Sequence, residues 1–171
     1  MPNGRTHDFI TLVSGAAMAP ALLNSDLPDM GAANATVLLG TYLASGLLFS
    51  PDLDVRSSAY RRWRGMRWVW LPYQRVVPHR SWVSHSFVFG PLLRALYFTG
   101  VLALIGGGLL ALFNLLTPID ATGTLLAILR SINRWILEHP STVAYALVGL
   151  VAGGAIHTLA DLVFTAVKRR F

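Results

Sequence analysis

Apolar positions along this chain gather into long blocks separated by polar segments, and the length of each block is its most direct structural message. A bilayer core about 30 Å thick takes roughly 20 residues of helix, which sets the measure for a membrane crossing. Four blocks invite that reading: residues 9–23, 35–49, 95–116 and 142–167. The first is short and contains Pro20, which suits a tilted, kinked or partly inserted helix. The second is also short but lengthens if Ala32 and Ala33 join it. The third is long enough outright, and its Gly106, Gly107 and Gly108 would permit close helix contact. The fourth is the longest and carries His157 and Asp161 within it. With no internal repeat or low-complexity tract, the predicted fold is all-α: one membrane-embedded helical domain over residues 1–171, with about four transmembrane helices.

The polar segments give this bundle an orientation. The connection 51–86 holds Arg56, Arg61, Arg62, Arg64, Arg67, Arg75 and Arg80, whereas 24–34 holds Asp26 and Asp29. Residues 117–141 have only Arg130 and Arg134, and the chain ends Lys168, Arg169, Arg170, Phe171. By the positive-inside rule both termini and the arginine-rich loop are cytoplasmic. Within that loop Ala59, Trp63, Met66 and Trp70 recur at helical spacing with arginines elsewhere around the turn, which predicts an amphipathic helix lying flat at the interface. Trp68 and Trp82 add interfacial anchors. A second, partly amphipathic helix over 125–137 is expected on the outer face, stopping before Pro140.

Composition narrows the class. With 54% hydrophobic and 13% charged residues and a mean hydropathy of +0.53, the chain is too apolar for a water-soluble globule. Its net charge of +6 fits either nucleic acid or an anionic lipid surface. The apolar neighbours of the arginines favour lipid headgroups as the partner, and nucleic acid is not expected. Arg5 followed by an apolar run has the outline of a signal peptide, but cleavage would discard His7 and Asp8, so the segment is read as retained. Cysteine is absent, so any metal must be held by nitrogen and oxygen donors.

Those donors are placed in a pattern. His7, His79, His85 and His157 stand at or near ends of apolar blocks beside polar or acidic residues; His139 does not and is read as a loop residue on the opposite face. His7 and Asp8 precede the first block, Asp52 and Asp54 follow the second, His79 and His85 precede the third, and His157 and Asp161 lie in the inner half of the fourth. The arginine-derived topology brings all eight to the cytoplasmic face. On a helix, a spacing of four puts His157 and Asp161 on one face, a turn apart. In Pro51-Asp52-Leu53-Asp54, an extended chain would turn both carboxylates to the same side. His79-Arg80-Ser81-Trp82-Val83-Ser84-His85-Ser86 offers two imidazoles, an arginine suited to phosphate, and hydroxyls that can cap a helix or support ligands. Singly, each has a plain structural reading as a cap, a solvated turn or a packed histidine. Their convergence on one face is what points to metal.

At these residues the chain resembles an uncharacterised prokaryotic family of metal-binding membrane proteins. The shared stretches are Asn3-Gly4-Arg5-Thr6-His7-Asp8, the Pro-Asp-Leu-Asp segment, the His-Arg-Ser-x-x-Ser-His block and the late His-x-x-x-Asp, spread over essentially the whole chain. More distantly it is similar to bacterial inner-membrane metal-dependent hydrolases. The resemblance implies His7, Asp52, Asp54, His79, His85, His157 and Asp161 as metal ligands, with Asp8 less central, and a multi-pass protein of the prokaryotic inner membrane.

Four imidazoles and up to four carboxylates exceed the needs of one four-coordinate ion, which favours one or two divalent ions of zinc, manganese or iron, with two preferred. The expected activity is metal-dependent hydrolysis of a phosphoester or lipid headgroup, with Asp8 or Asp54 as general base and Arg80 on the phosphate. A structural or metal-handling site is the alternative. Transport is disfavoured because the ligands gather at one face, with only Arg94 ionisable deeper in the third block.

Overall fold

The computed structural model describes residues 4–79, 81–119 and 121–168, and every regular element among them is helical. In chain order these are α1 (Gly4–Leu23), α2 (Ala32–Leu47), a 3-10 turn at Pro51–Asp54, α3 (Ser58–Arg62), a 3-10 segment at Arg64–Trp70 and α4 (Leu71–Val76). There follow α5 (Trp82–His85), α6 (Phe89–Leu116), α7 (Thr122–Glu138) and α8 (Pro140–Lys168).

Three stretches are long and apolar enough to cross a membrane: Ala32–Asp54, Phe89–Leu116 and Pro140–Lys168. Four were expected, and α1 is the one that falls short. Its first turns carry Arg5, His7 and Asp8, and Pro20 sits near its end, so only the middle is continuously apolar. It nevertheless packs along α2 and α8.

Polar contacts fix the direction of the bundle. At one end Ser141 donates to Asp29 (2.5 Å), Thr142 to Asn34 (2.7 Å) and Tyr145 to the Pro28 carbonyl (2.6 Å), so α8 starts beside the turn between α1 and α2. From there α2 and α8 run in parallel while α1 runs the other way. The beginning of α1, the end of α2 and the last turns of α8 therefore meet at the opposite end.

Close approach of α2 and α8 rests on glycine. A Cβ at Gly149 would strike the Leu38 carbonyl and the Thr41 hydroxyl, and one at Gly153 would strike the Tyr42 carbonyl. At Gly154 it would meet Pro91 of α6. Small residues four apart let helix backbones nearly touch, which in lipid replaces hydrophobic burial as the source of association. The sequence-based expectation put that role on Gly106, Gly107 and Gly108, but nothing lies within 4 Å of a Cβ built there. Glycines permit close approach only where a partner helix is opposite, and among the described residues none lies against these three.

The arginine-rich connection is not a single flat helix. Arg64 takes a left-handed conformation (φ 45°) that stops α3 and starts the 3-10 segment, and the chain folds back on itself. Trp70, Leu53, Val69, Tyr73, Tyr60 and Ala59 are buried together, with Phe49, Trp63 and Phe98 packed against them. Trp70 stacks on Phe98 (6.0 Å between ring centroids), and Trp63 meets Phe98 edge-on at 4.9 Å. Met66, Trp68 and Trp82 remain exposed. The loop has its own aromatic core because Trp63 and Trp70 face α6 rather than lipid. At the other end of the bundle α7 is strongly amphipathic and buries no residue.

Arg94 joins these parts. Fully buried in α6, it donates Nε–H to the Phe49 carbonyl (2.6 Å) and Nη1–H to the Ser84 carbonyl (2.8 Å). One guanidinium thus holds both the end of α2 and the turn of α5.

Two stability measurements in detergent follow. Gly153→Ala should lower thermal stability by about 1–3 kcal/mol, because its Cβ meets a carbonyl that cannot move aside. Gly106→Ala should be neutral or gain up to about 1 kcal/mol from helix propensity. Equal melting temperatures for the two variants would remove the close-packing account. Arg94→Met should destabilise by on the order of 3 kcal/mol, since two buried carbonyls lose a charged donor; an unchanged melting curve would show that the tether is idle.

Candidate metal centre

The meeting point of α1, α2 and α8 is set by packing before any chemistry enters. Gly46 lies against Thr11 of α1 and the Gly153 carbonyl of α8, so the three helices touch just before α2 gives way to Ser50-Pro51-Asp52-Leu53-Asp54. One turn beyond Gly153, α8 presents His157, and after another turn Asp161. Nearby, the first turns of α1 present His7, whose backbone carbonyl accepts from Thr11 (2.9 Å).

These residues are sequestered, with relative exposures of 5% for His7, 3% for His157 and 7% for Asp161. The His7 and His157 rings stack, 3.7 Å between centroids and 11° apart. His7 Nε2 lies 3.2 Å from Asp161 Oδ1, and His157 Nε2 lies 3.9 Å from Asp161 Oδ2. Neither Asp161 oxygen is aligned for a hydrogen bond despite the proximity, and His7 Nδ1 and His157 Nε2 also lack one. One donor atom from each residue falls within 4.8 Å of the others, so His7, His157 and Asp161 could hold a metal ion.

Neighbouring groups orient the rings. Ser50 Oγ lies 3.2 Å from His157 Nδ1 and also accepts from the Asp52 backbone N–H (3.3 Å). A ring donating Nδ1–H to Ser50 carries its lone pair on Nε2, which faces Asp161 and, at 3.5 Å, Asp52 Oδ2. Ser84 Oγ stands 2.8 Å from His85 Nδ1, and His85 Nε2 is buried without a partner. His79 Nδ1 contacts Asp54 Oδ1 at 2.9 Å. Bonding of one imidazole nitrogen to a hydroxyl or carboxylate is how proteins fix the other for metal.

His85 connects the two halves. It lies 6.1 Å from His79 by ring centroids and within electrostatic reach of Asp54, Asp52, Asp161 and His157. Burial lowers its pKa below the ordinary imidazole value, against the opposing pull of those three carboxylates. The neutral ring is the form that donates a lone pair to a metal. Its short helix α5 starts where expected from the hydroxyls, with Ser81 accepting from the Ser84 N–H (3.2 Å), and just past its end Ser86 accepts from the Phe89 N–H at the start of α6 (3.1 Å).

The seven metal-ligand residues anticipated from sequence, His7, Asp52, Asp54, His79, His85, His157 and Asp161, are therefore neighbours in space, though not as one uniform set. Pro51–Asp54 is a 3-10 turn instead of an extended strand, so its carboxylates diverge. Asp52 turns to His157, and Asp54, its side chain fully buried, turns to His79. Asp8 is ion-paired with Arg62, an arginine that also donates to the Leu47 carbonyl (2.6 Å); this ties α1 to α3 and to the end of α2. That contact occupies Asp8 outside the trio. Arg80, expected to bind phosphate, lies outside the described residues. His139 is where it was anticipated, far from the others, capping α7 and stacked on Trp135 at 4.7 Å.

Sequence reasoning did not assign Ser50, Ser84 and Arg94 their particular places. Arg94 had a usable signal, since an arginine inside an apolar block must face protein or a polar cavity.

The donor chemistry fits a cation. Two imidazole nitrogens and a carboxylate, buried at an apolar helix end with unsatisfied lone pairs, present a costly arrangement unless a positive charge completes it. All are nitrogen or oxygen donors, as divalent first-row metals accept.

Neither the curated proteins nor the solved structures contain a match to this chain. A family model described as uncharacterized metal-binding protein (DUF2227) matches residues 2–171, and on that whole-length match, beside a buried trio able to hold a metal, the chain belongs to this family.

Proposed function

We propose that the protein is a metal-dependent hydrolase acting on a phosphoester at the cytoplasmic face of the membrane, with one or two divalent ions of zinc, manganese or iron. The observation that carries this reading is the unequal burial of the donors. His7, His157 and Asp161 are closed off, but the Asp52 side chain keeps 26% of its exposure and that of His79 keeps 40%. A catalytic site keeps a position open to water or substrate, and a structural one does not.

In this reading His7, His157 and Asp161 hold the inner ion, with Asp52 at its open side. His85 and His79 would serve a second ion, with Asp54 orienting His79. Bound divalent metal would lower the pKa of a ligated water and polarise the phosphoryl oxygen. Hydrolysis joins a water oxygen to phosphorus as the ester P–O bond breaks, and the departing alkoxide takes a proton. Asp52 is the carboxylate of the set with solvent access and no arginine bound to it among the described residues, so we assign it the water proton. Arg80 is assigned to the phosphate by its place between His79 and Ser81 and by the bidentate geometry of guanidinium. The arginines of the loop would draw anionic headgroups to this face.

A non-enzymatic, structural site is the competing reading. It draws on the burial of the inner trio, which ties α1 to α8.

Elemental analysis of purified, metal-replete protein should give at least one divalent metal per chain, falling strongly in His157→Ala; a wild-type ratio near zero sinks the metal centre altogether. Ser50→Ala and Asp54→Asn should weaken metal affinity about 10–100-fold by releasing the rings they orient. Metal-loaded protein should hydrolyse p-nitrophenyl phosphate or its diester. His85→Ala should abolish turnover with the helical circular dichroism retained. No turnover with any metal, or unfolding of His85→Ala, would favour the structural role.

A further inference from the structure

Beside the metal centre the structure holds a cleft of about 400 Å³ with an almost wholly apolar wall, within the range of pockets that bury small ligands. It runs between α4 and α6 and is lined by Tyr73, Val77, Pro78, Val83, Leu93 and Tyr97, among others. Leu93 and Tyr97 are one turn apart on α6, a helix whose composition suits a membrane crossing. The Tyr97 hydroxyl is turned away to donate to the Val69 carbonyl (2.5 Å), so the tyrosine offers its ring to the cleft. Tyr73 and Tyr97 rings meet at 5.2 Å and form a continuous aromatic surface.

Two lining residues join this cleft to the donors. Pro78 directly precedes His79, and Val83 is two residues before His85. The cleft thus has an apolar body beside the start of a membrane-crossing helix and one rim at the exposed side of the His79–His85 pair.

We infer that the cleft receives the hydrocarbon chain of a single-chain or acyl-bearing phospholipid-class substrate, with its phosphate directed to the metal centre at the His79–His85 rim. The inference rests on the hydrolase reading for the phosphate end. At this depth the abundant apolar partner is lipid hydrocarbon, and each methylene moved out of water is worth about 0.8 kcal/mol. A wall with almost no polar surface gives little for a peptide or a sugar to bond. A chain seated there also has its polar head beside the His79 and His85 rings, and His85 Nε2 has no hydrogen-bond partner among the described residues.

The test uses two probes with the same diazirine-bearing C16 chain, one headed by a phosphonate that cannot be hydrolysed and the other by a neutral alcohol. Photolabelling of the full-length, metal-loaded protein in detergent is mapped by peptide mass. Labels should concentrate on the peptides holding Tyr73, Val83, Leu93 and Tyr97, several-fold above residues 104–115 of α6, whose leucines are also exposed. Val76 lines the cleft but is 78% exposed, so Val76→Trp can fold and should suppress that label. The phosphonate should label more strongly than the alcohol, and His157→Ala should erase the difference. Label spread evenly along α6, or equal labelling by both probes, overturns the inference. If p-nitrophenyl phosphate is still hydrolysed in that case, the hydrolase reading survives without it. Cleft-specific, phosphonate-preferring label without turnover of any phosphoester would retain the lipid site and remove the hydrolase.

Discussion

Asp161 imposes the condition that the other parts of this structure meet. Its two carboxylate oxygens are buried near the end of an apolar helix, and neither has a hydrogen-bond partner among the described residues. An ionised carboxylate in that setting requires a cation, and no lysine or arginine among the described residues is paired with it. The two nearest donors are imidazoles, His7 and His157, stacked on each other with nitrogens aimed at the same small space. With both rings in the lone-pair form that binds metal, the trio would carry the single negative charge of its carboxylate, which a divalent metal would reverse. Metal is thus the natural completion of an electrostatic arrangement that the polypeptide leaves incomplete.

Bringing those donors together depends on how closely α8 can lie on α2. Gly149 and Gly153 set the distance, and Gly154 admits Pro91 from α6. The same approach puts Ser45 within 2.5 Å of the Leu150 carbonyl, and further along it puts Ser50 beside His157. A side chain at Gly153 would therefore act on the metal centre without touching it, by moving His157 away from Ser50 and Asp52. Arg94 performs a comparable task from the other side, since it fixes the carbonyls of Phe49 and Ser84, the residues just before Ser50 and His85. Helix packing and donor geometry are one problem in this fold.

Much of this was legible in the sequence because lipid and metal both impose simple rules. Block length located α2 and α8 to within three residues and the end of α6, though α6 begins six residues before its block, and the placement of histidines and aspartates at block ends marked which end would carry the donors. What could not be read was anything dependent on tertiary partners. Gly106-Gly107-Gly108 and Gly149, Gly153 look alike as small residues in apolar helices, and only the presence of α2 opposite the second group makes it a contact. Trp63 and Trp70 have interfacial spacing, yet the left-handed turn at Arg64 sends them into a core. The Asp-Leu-Asp spacing suggested a shared cation, whereas the 3-10 turn, started by Pro51 and capped by Ser50, rotates the two carboxylates toward different histidines. Asp8 adjoins His7 in sequence, but successive helix residues point about 100° apart, and Arg62 occupies the direction that Asp8 takes.

The diverging carboxylates also explain why the centre has a closed and an open side. Had Asp52 and Asp54 faced the same way, both could have joined the buried trio and filled its coordination. Because the turn separates them, Asp54 is committed to His79 while Asp52 stays at the margin, partly in solvent, facing His157. The margin is also where His79 is exposed and where the apolar cleft begins at Pro78 and Val83. In the proposed reading, an amphiphile would meet hydrocarbon-compatible surface and metal-compatible donors in succession. That ordering follows from one short turn placed where an apolar helix ends, which gives Asp52 a partner on its buried side and leaves its other side to solvent.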